Sequence, residues 1–196
     1  MSAAVLPERV ERLKRMQSGP DSTELSPEQS NTSSEQKKTP SLLVAALQRE
    51  HAEWINEIID AYGEVTVIVS RDNIAAACTF LKTSPDARLD FLADICGVDR
   101  GPEEEPRFEV NYHLFSTTKF HRLRLKVLLN EEDLHVPTVT TVWRTANWHE
   151  RETYDLFGVI FDGHPDLRRI LLPEDWQGHA LRKDFPLRGY EPYSLK

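Results

Sequence analysis

Three regularly spaced histidines are the side chains whose pattern comes nearest to a metal site. His149, His164 and His179 recur at intervals of 15 residues, and Asp155 or Asp162 could add a carboxylate ligand. A stand-alone metal-dependent enzyme is therefore one hypothesis for this chain. No H-x-H or H-x-x-x-H pair is present to pre-organise the ligands, which favours separate structural roles for the three rings.

Other catalytic centres have less support. His149-Glu150 begins like the H-E-x-x-H helix of zinc proteases, but Thr153 stands where the second histidine is needed. Cys96 with a distant histidine could form a thiolate nucleophile, although a chain with seven histidines offers that pairing by coincidence. The sequence contains no G-x-S-x-G elbow and no glycine-rich phosphate loop.

The two cysteines are too few for most cysteine chemistry. Cys78 and Cys96 lie 18 residues apart, which provides neither a disulfide framework nor the thiolates of an iron–sulfur cluster. We expect two small, buried side chains in the reduced thiol form.

Closely spaced charges are a richer signal, and they lie in the last quarter of the chain. On a solvated surface such pairs contribute only about 0–1 kcal/mol each. At an interface between proteins, loss of one desolvated partner costs about 2–5 kcal/mol. The pairs fall in three groups: Glu150, Arg151 and Glu152; Asp166, Arg168 and Arg169; Arg182, Lys183 and Asp184.

Aromatic residues favour the contact hypothesis. Seven aromatic side chains lie between residues 147 and 190, interleaved with prolines and glycines. Disordered tails are poor in aromatic residues, and aromatic and arginine side chains are enriched at interface hot spots. The pattern predicts an extended segment that is ordered by packing on another surface.

Periodicity predicts the elements that must position these residues. Helical spacing of apolar residues predicts a first helix, capped by Ser41 and ended by Gly63. Alternation predicts a strand over residues 65–69, and Asp72 can cap a second helix that runs to about Lys82. The apolar positions of the first helix are Leu43, Leu47, Trp54, Ile55, Ile58, Ile59 and Tyr62.

The middle of the chain predicts a β-hairpin. Apolar residues alternate with polar ones over residues 108–114 and again over 123–127, and Ser116–Lys119 links the two strands. The polar face of the second strand carries three cations, which predicts a solvated or partner-facing sheet surface. These are Arg122, Arg124 and Lys126.

Two further segments complete the predicted fold. Residues 88–99 are ambiguous between helix and strand, and Gly97 suggests a turn. Pro137 can open a third helix, with Val139, Val142 and Trp143 on one side. The predicted fold class is α+β, with helices packed on a mainly antiparallel sheet, followed by an extended irregular C-terminal tail.

Composition sets the remaining limits. The 196 residues are 39% hydrophobic with a net charge of -8, which predicts a globular protein without a bilayer span or a secretory signal and argues against a nucleic-acid partner. Residues 1–40 carry seven serines, no aromatic residue and no net charge, so we predict a disordered arm there. An α+β domain over 41–146 and a contact tail over 147–196 complete the predicted organisation.

A long stretch of the tail resembles a known family. Residues 148–171 read WHERETYDLFGVIFDGHPDLRRIL, and residues 176–187 read WQGHALRKDFPL. This is similar to the signature of the C subunit of proton-translocating NADH–quinone oxidoreductase, respiratory complex I, and the preceding region down to residue 41 is similar in order. The family pattern has proline where this chain has Ala180, which restores a backbone N–H donor.

The resemblance implies the role of one component of an assembly rather than of a separate enzyme. It implies a cofactor-free component of the hydrophilic arm that packs against the D subunit, with flavin, iron–sulfur clusters, NAD and quinone bound by other subunits. Electron transfer from NADH to quinone, coupled to proton translocation, then belongs to the assembly. The implied location is peripheral, on the cytoplasmic face of a bacterial inner membrane through partner subunits.

The resemblance leaves two further questions, which are whether this subunit is fused to the D subunit and which enzyme complex it belongs to. Because the chain ends at Lys196, soon after the signature, we expect the unfused form rather than a fusion of the C and D subunits. Related subunits in membrane-bound hydrogenases and in ferredoxin- or deazaflavin-dependent oxidoreductases are the alternative.

The resemblance also marks the residues expected to make contacts. No catalytic, cofactor-binding or metal-binding residue is expected. The signature residues expected at the contact with the D subunit, or within the fold of the tail itself, are Glu150, Arg151, Glu152, Tyr154, Asp155, Phe157, Gly158, Gly163, His164, Pro165, Asp166, Arg168, Arg169, Gly178, His179, Arg182, Lys183, Asp184 and Pro186.

Overall fold

Alternating apolar residues build a five-stranded sheet at the centre of the fold. The structure is a computed structural model that describes residues 42–190. The strands of the sheet are β1 (Ile55–Ala61), β2 (Glu64–Val69), β3 (Phe91–Asp99), β4 (Phe108–Phe115) and β5 (Arg122–Leu129). They lie in the order β1-β2-β5-β4-β3, and every neighbouring pair is antiparallel except β2 and β5.

Three helices and a small second sheet complete the described part of the chain. The helices are α1 (Leu42–His51), α2 (Ile74–Thr83) and α3 (Ala146–Phe157), and short 3₁₀ turns lie at Ala52–Trp54 and Arg71–Asn73. The second sheet pairs β6 (His135–Pro137) with β7 (Ile160–Asp162) in parallel. After β7, residues 163–190 contain no further helix or strand. The predicted fold class is confirmed, including the irregular tail.

One face of the sheet carries the hydrophobic core. Alternate side chains of β4 and β5, such as Tyr112 and Leu125, are fully buried against Leu47 of α1 and Leu81 of α2 within one cluster. The opposite face is polar, because the alternation of these strands places charged residues there. On that face Lys126 pairs with Glu109 at 2.6 Å.

The predicted first helix is too long. It ends at His51, and residues 55–61 form β1, which turns at Tyr62 and Gly63 into β2. A β-bulge between Ile55 and Glu57 shifts the register, so that Ile55 and Ile58 pair with the core-facing Val69 and Val67 although they are three residues apart. That bulge produces the helix-like spacing that misled the prediction.

Glycine 97 does not form the predicted turn. Gly97 lies within β3, paired with Val110 of β4, and the ambiguous segment is therefore a strand. A Cβ atom at this position would lie 2.6 Å from the ring of Phe157. Glycine is needed here because α3 packs closely on the strand.

The helix predicted after Pro137 begins later, at Ala146. Pro137 ends β6, and Val139 and Trp143 are buried in the turns between β6 and α3. The predicted second helix is confirmed, but Asp72 lies in a 3₁₀ turn and α2 follows Asn73. The predicted cap Ser41 and the arm over 1–40 fall outside the described residues.

Candidate functional site

The candidate site consists of α3 and the tail, here residues 158–190. Four polar or charged residues of α3 are buried: Glu150, Arg151, Thr153 and Asp155. Burial of so many charges in a helix of 12 residues requires partners on more than one side, because an unpaired buried charge is costly. The tail and the loop before α3 provide those partners.

Asp155 holds the first part of the tail. Its Oδ2 accepts the backbone N–H groups of Ile170, Leu171 and Leu172 at 3.0, 2.8 and 2.9 Å. Its Oδ1 accepts a hydrogen bond from Arg169 at 2.7 Å. Burial pushes the pKa of Asp155 upward, but these hydrogen bonds outweigh it and hold the pKa below its ordinary value.

Arg169 connects Asp155 to residues further along the tail. Its guanidinium also donates to the carbonyl oxygen of Asp155 at 3.1 Å, to that of Trp176 at 3.1 Å and to that of Gly178 at 2.9 Å. A single side chain thus ties the end of α3 to two turns of the tail. Arg169 faces inward, within the chain.

Arg151 anchors the same segment from the preceding turns of α3. Its Nε donates to the carbonyl oxygen of Arg168 and its Nη2 to that of Arg169, both at 3.0 Å. The guanidinium lies 5.5 Å from the centre of the Trp148 ring, within the range of a cation–π contact.

The tail also caps the C-terminus of α3. Gly158 ends the helix in the left-handed conformation, with φ of 82°, as is usual at this position. His179 packs so closely that a Cβ atom on Gly158 would lie 2.7 Å from its ring. The ring donates from Nδ1 to the carbonyl oxygen of Asp155 at 2.9 Å, and burial lowers the pKa of His179, so a neutral ring is favoured.

A second anchor lies where β3 ends and β4 begins, in a set of residues that we call the strand-end cluster. It comprises Asp99, Arg107, Glu131, Arg182, Lys183 and Asp184. Asp99 accepts two hydrogen bonds from Arg107, at 2.9 and 2.8 Å. Asp99 also accepts the backbone N–H of Lys183 at 2.7 Å. The guanidinium lowers the pKa of Asp99 to about 2.

Carboxylates from the tail and from the loop after β5 complete the strand-end cluster. Arg107 contacts Asp184 at 3.1 Å and Glu131 at 2.8 Å. Arg182 reaches Glu131 at 3.2 Å and lies over the Phe108 ring at 4.8 Å. The cluster therefore holds the tail a second time, about ten residues after the Asp155 contact.

Glu150 links α3 to the loop before it. Its Oε1 accepts the backbone N–H of Val139 at 2.7 Å, and its Oε2 accepts the Thr138 hydroxyl at 2.5 Å. Burial raises the pKa of Glu150 to about 7, because these two hydrogen bonds offset only part of the desolvation. The ring of His164, whose pKa burial lowers, lies 4.0 Å away.

This environment predicts a pH-dependent stability. Because the pKa of Glu150 is higher in the folded chain, the carboxyl stabilises the fold below about pH 4.5, and that contribution is lost as the pH rises through about 7. We expect Glu150→Gln to remove this dependence, since the amide can still accept from Val139. Urea unfolding of both proteins at pH 5 and pH 8 measures this dependence. From pH 5 to pH 8 the free energy of unfolding of Glu150→Gln should rise, relative to that of the parent, by up to about 3 kcal/mol.

The control is a glutamate on the exposed face of the same helix. Glu152→Gln should leave the pH dependence unchanged, because Glu152 is exposed. Equal pH profiles for the parent and Glu150→Gln would contradict the assignment of the raised pKa to Glu150.

The remaining signature residues divide into inward and outward sets. Tyr154 packs its ring 6.1 Å from that of His179, and Phe157 covers β3 at Gly97. Gly163 and Gly178 occupy left-handed turns, with φ of 82° and 77°. The exposed signature residues are Glu152, Gly163, Pro165, Asp166, Arg168, Gly178, Lys183, Asp184 and Pro186.

Apolar side chains of the tail point outward as well. Leu171, Leu181, Leu187 and Tyr190 are all more than half exposed. Leu171 and Leu181 lie on the backbone that Asp155, Arg169 and the strand-end cluster hold, and Leu187 and Tyr190 follow it. The arrangement presents an apolar surface on an ordered, extended backbone.

The three regularly spaced histidines are not brought together as a metal site. His149 lies beside Asp94 at 3.2 Å, His164 contacts the carbonyl oxygen of Asn147 at 3.2 Å, and His179 is engaged at the end of α3. Between residues 42 and 190 no group of three histidine, cysteine, aspartate or glutamate side chains is arranged to hold a metal ion.

The cysteines are free thiols that differ in burial. Cys78 is fully buried, which raises its pKa. Cys96 is half-buried on the polar face of the sheet, 3.9 Å from Nε2 of His113. Burial raises the pKa of Cys96 as well, opposite to the lowered pKa of a nucleophilic thiol.

Comparison with known proteins identifies the family. The family described as "Respiratory-chain NADH dehydrogenase, 30 Kd subunit" matches residues 67–191, which is more than half of the sequence. The chain belongs to this family. The predicted resemblance to the C subunit of complex I is confirmed.

Relatives within the family are similar over most of their length. The chain is 55% identical over 131 residues to C subunit 2 of the NADH-quinone oxidoreductase of Rhizobium meliloti (strain 1021), covering 67% of this chain and 71% of the relative. It is 47% identical over 152 residues to the C subunit of the NADH-quinone oxidoreductase of Geobacter sulfurreducens, covering 76% of this chain and 93% of the relative.

Solved structures share the fold. A trypsin-resistant fragment (1–134) of Nqo5 is 36% identical, with a TM-score of 0.56 over 64% of this chain and 99% of the fragment. A chain of the membrane-bound sulfane sulfur reductase, an archaeal respiratory membrane complex, has a TM-score of 0.61 at 24% identity, over 74% of this chain and 84% of that one. The latter likeness concerns the fold alone. Among residues 42–190, no helix is both long and apolar enough to span a membrane.

Three residues of the strand-end cluster are not predicted from the sequence. Asp99, Arg107 and Glu131 lie outside the signature, yet they bind its residues 182–184. One signal was present: Asp99 and Arg107 flank two apolar runs that can pair in antiparallel, which brings the end of one run beside the beginning of the next.

Proposed function

We propose that this chain is a non-catalytic, cofactor-free subunit of the hydrophilic arm of a proton-pumping NADH–quinone oxidoreductase. In this role it assembles with the D subunit and supports electron transfer from NADH to quinone, coupled to proton translocation by the whole complex. The observation that carries the proposal is the arrangement of the tail. The buried charged side chains of the signature form their hydrogen bonds within the chain. The exposed apolar side chains of the tail are therefore the surface that a neighbouring subunit can contact.

The tail surface has the character of a protein contact. Exposed Leu171 lies on a backbone that Asp155 holds through buried hydrogen bonds, and the ring of Tyr190 packs on that of Phe185. Little further ordering of these groups is needed on binding. Arg168, which is exposed, adds the arginine that contacts of this kind favour. We assign the contact with the D subunit to this surface.

The cofactors of the reaction are proposed to lie on other subunits. The chain has two cysteines, fewer than the four thiolates that ordinarily hold an iron–sulfur cluster. Flavin, NAD and quinone would likewise be bound elsewhere. Attachment to the cytoplasmic face of a bacterial inner membrane would be peripheral and would depend on partner subunits.

The test separates outward from inward arginines. Arg168→Glu reverses an exposed charge, and Leu187→Glu adds a charge to the apolar surface of the tail. The double variant leaves the inward-facing Arg169 in place. We expect at least a tenfold loss, about 1.4 kcal/mol or more, in the affinity for the purified D subunit, because charge is brought into an apolar contact. Titration calorimetry with the full chain measures this.

The matched control reverses an equally exposed arginine elsewhere. Arg49 of α1 is 66% exposed in its side chain and pairs with neighbouring Glu50, as Arg168 is 62% exposed and pairs with Asp166. Arg49→Glu should bind the D subunit like the parent. Unchanged affinity in the Arg168 and Leu187 variant would reject the tail as the contact.

A further inference from the structure

Aromatic side chains gather at the end of the five-stranded sheet that lies away from the strand-end cluster. Phe91 begins β3 and pairs with Phe115 at the end of β4, which in turn pairs with Arg122 at the beginning of β5. Since β2 runs parallel to β5, the β1–β2 turn with Tyr62 lies at this end too. We call this group the aromatic end: Tyr62, Phe91, Phe115, Phe120 and Arg122.

Two rings of the aromatic end contact each other, and three rings are open to solvent. Phe120 meets Phe115 edge to face at 6.5 Å, and the Arg122 guanidinium lies 5.7 Å from the Phe115 ring. Phe91 is 47% exposed, Phe120 is 80% exposed and Tyr62 is completely exposed. These rings therefore contribute little burial to the fold of this chain.

Backbone strain is concentrated at the same end. Within residues 42–190 three non-glycine residues have positive φ, namely Tyr62 at 55°, Arg88 at 42° and Phe120 at 55°. Arg88 lies in the loop that leads into Phe91. Bulky side chains are disfavoured in this conformation, and strained residues of this kind gather at functional surfaces. The chain keeps three of them at one end, where the rings are exposed.

The loop that presents Phe120 is braced. Lys119 donates to the carbonyl oxygens of Pro85 and Asp86 at 2.5 and 2.9 Å, and the Thr117 hydroxyl donates to Asp90 at 2.5 Å. The backbone N–H of Phe120 bonds to the carbonyl oxygen of residue 116 at 2.9 Å. A braced loop holds its exposed ring in place before binding, which lowers the ordering cost of association.

Charge indicates the partner. Although the chain carries a net charge of -8, Arg88 and Arg122 have no carboxylate within 4.0 Å among the described residues. Glu64, Asp86 and Asp90 lie at the same end of the sheet, so this end lacks the extended positive surface that an anionic bilayer would require. Each unpaired guanidinium can still bind a single carboxylate. A protein that places an apolar side chain among the rings, beside a carboxylate, would satisfy both the rings and the arginines.

We propose that the aromatic end is a second docking surface, for a protein neighbour that offers an apolar side chain flanked by a carboxylate. It lies about 25 Å from the strand-end cluster, the length of an eight-residue strand. The chain thereby joins two neighbouring surfaces, one at the tail and one at the opposite end of the sheet.

The first test removes the rings without harming the fold. Tyr62→Asn and Phe120→Gly place residues that tolerate positive φ at both positions, so the unfolding midpoint of the isolated full chain should stay equal or rise. In the complete complex, purified from native membranes, we expect the double variant to dissociate about tenfold faster or more, as for loss of interface hot spots. Phe120→Tyr, which keeps the ring, should behave like the parent.

The second test is covalent labelling of the rings. Hydroxyl-radical oxidation of Tyr62 and Phe120 should slow by about tenfold or more when the chain is in the complex, because a docked protein excludes solvent from hot spots. Equal labelling in the complex and in the isolated chain would overturn the proposal. So would protection of the isolated chain by anionic vesicles, or by its own self-association in light scattering.

The result of the aromatic-end tests can be distinguished from the result of the binding test on the tail. The aromatic-end variants should bind the purified D subunit with the affinity of the parent if that contact rests on the tail alone. Loss of this binding in the Arg168 and Leu187 variant, with labelling of Tyr62 unchanged by assembly, would sustain the proposed function and reject the second surface.

Discussion

Replacement of Asp155 by asparagine is expected to release residues 169–172 from α3 and to cost about 3–5 kcal/mol, as for a broken buried pair. Three backbone N–H groups converge on Oδ2 and a guanidinium N–H on Oδ1. The asparagine amide must therefore face either the backbone donors or Arg169 with its own N–H groups. Neither orientation satisfies all four donors.

Two measurements follow this release. Urea unfolding gives the change in the free energy of unfolding. Amide hydrogen exchange at Ile170, Leu171 and Leu172 reports the local opening, and their exchange should accelerate by more than about tenfold. Exchange of the core strand β4 should accelerate less if the tail opens first.

Asp166 provides the matched control. Its carboxylate pairs with Arg168 at 3.0 Å, and both side chains are more than half exposed. Asp166→Asn should change stability by no more than about 0.5 kcal/mol. If Asp155→Asn and Asp166→Asn had equal effects, Asp155 would not hold the tail.

The sequence could predict the strands with one solvated face, because strict alternation survives in them. β4 and β5 carry their apolar residues at every second position, and the predicted hairpin is observed. β1 was mistaken for a helix because a bulge breaks the period of two between Ile55 and Glu57. No local pattern distinguishes such a bulged strand from a helix; the pairing partner 64–69 decides it.

The direction in which each signature side chain points could not be predicted from the sequence. The signature marks Arg168 and Arg169 equally, yet Arg168 is 62% exposed and Arg169 14% exposed in their side chains. Their division depends on where Asp155 lies on α3 relative to the tail, which is a tertiary relation. For the same reason Arg107 could not be assigned to the tail from the sequence, since it lies more than 70 residues before Asp184.

The second large effect is expected at Arg107. Arg107→Met keeps most of the aliphatic length but leaves the fully buried carboxylate of Asp99 with only the backbone N–H groups of Gly101 and Lys183. We expect a loss of about 3–5 kcal/mol, because an uncompensated buried charge remains. Urea unfolding measures the loss, and exchange of the Lys183 amide should accelerate with it.

The pH dependence identifies the cause of this loss. In the parent chain the pKa of Asp99 is lowered to about 2, so its stabilising contribution is present above about pH 3.8 and is lost only as the pH falls through 2. Without the guanidinium, burial raises the pKa of Asp99. The stability difference between Arg107→Met and the parent should therefore shrink as the pH falls from 7 to 4, where the variant binds a proton.

A double-mutant cycle measures the coupling of Asp99 and Arg107, and a neighbouring arginine provides the control. Asp99→Asn combined with Arg107→Met removes both charges and should be less destabilising than the sum of the single changes by about 2 kcal/mol or more. Arg100 of the same loop pairs with exposed Glu104 at 3.0 Å, and Arg100→Met should cost no more than about 1 kcal/mol. Additive single changes, with a pH-independent loss, would mean that Arg107 stabilises the fold through packing on Phe108 rather than through Asp99.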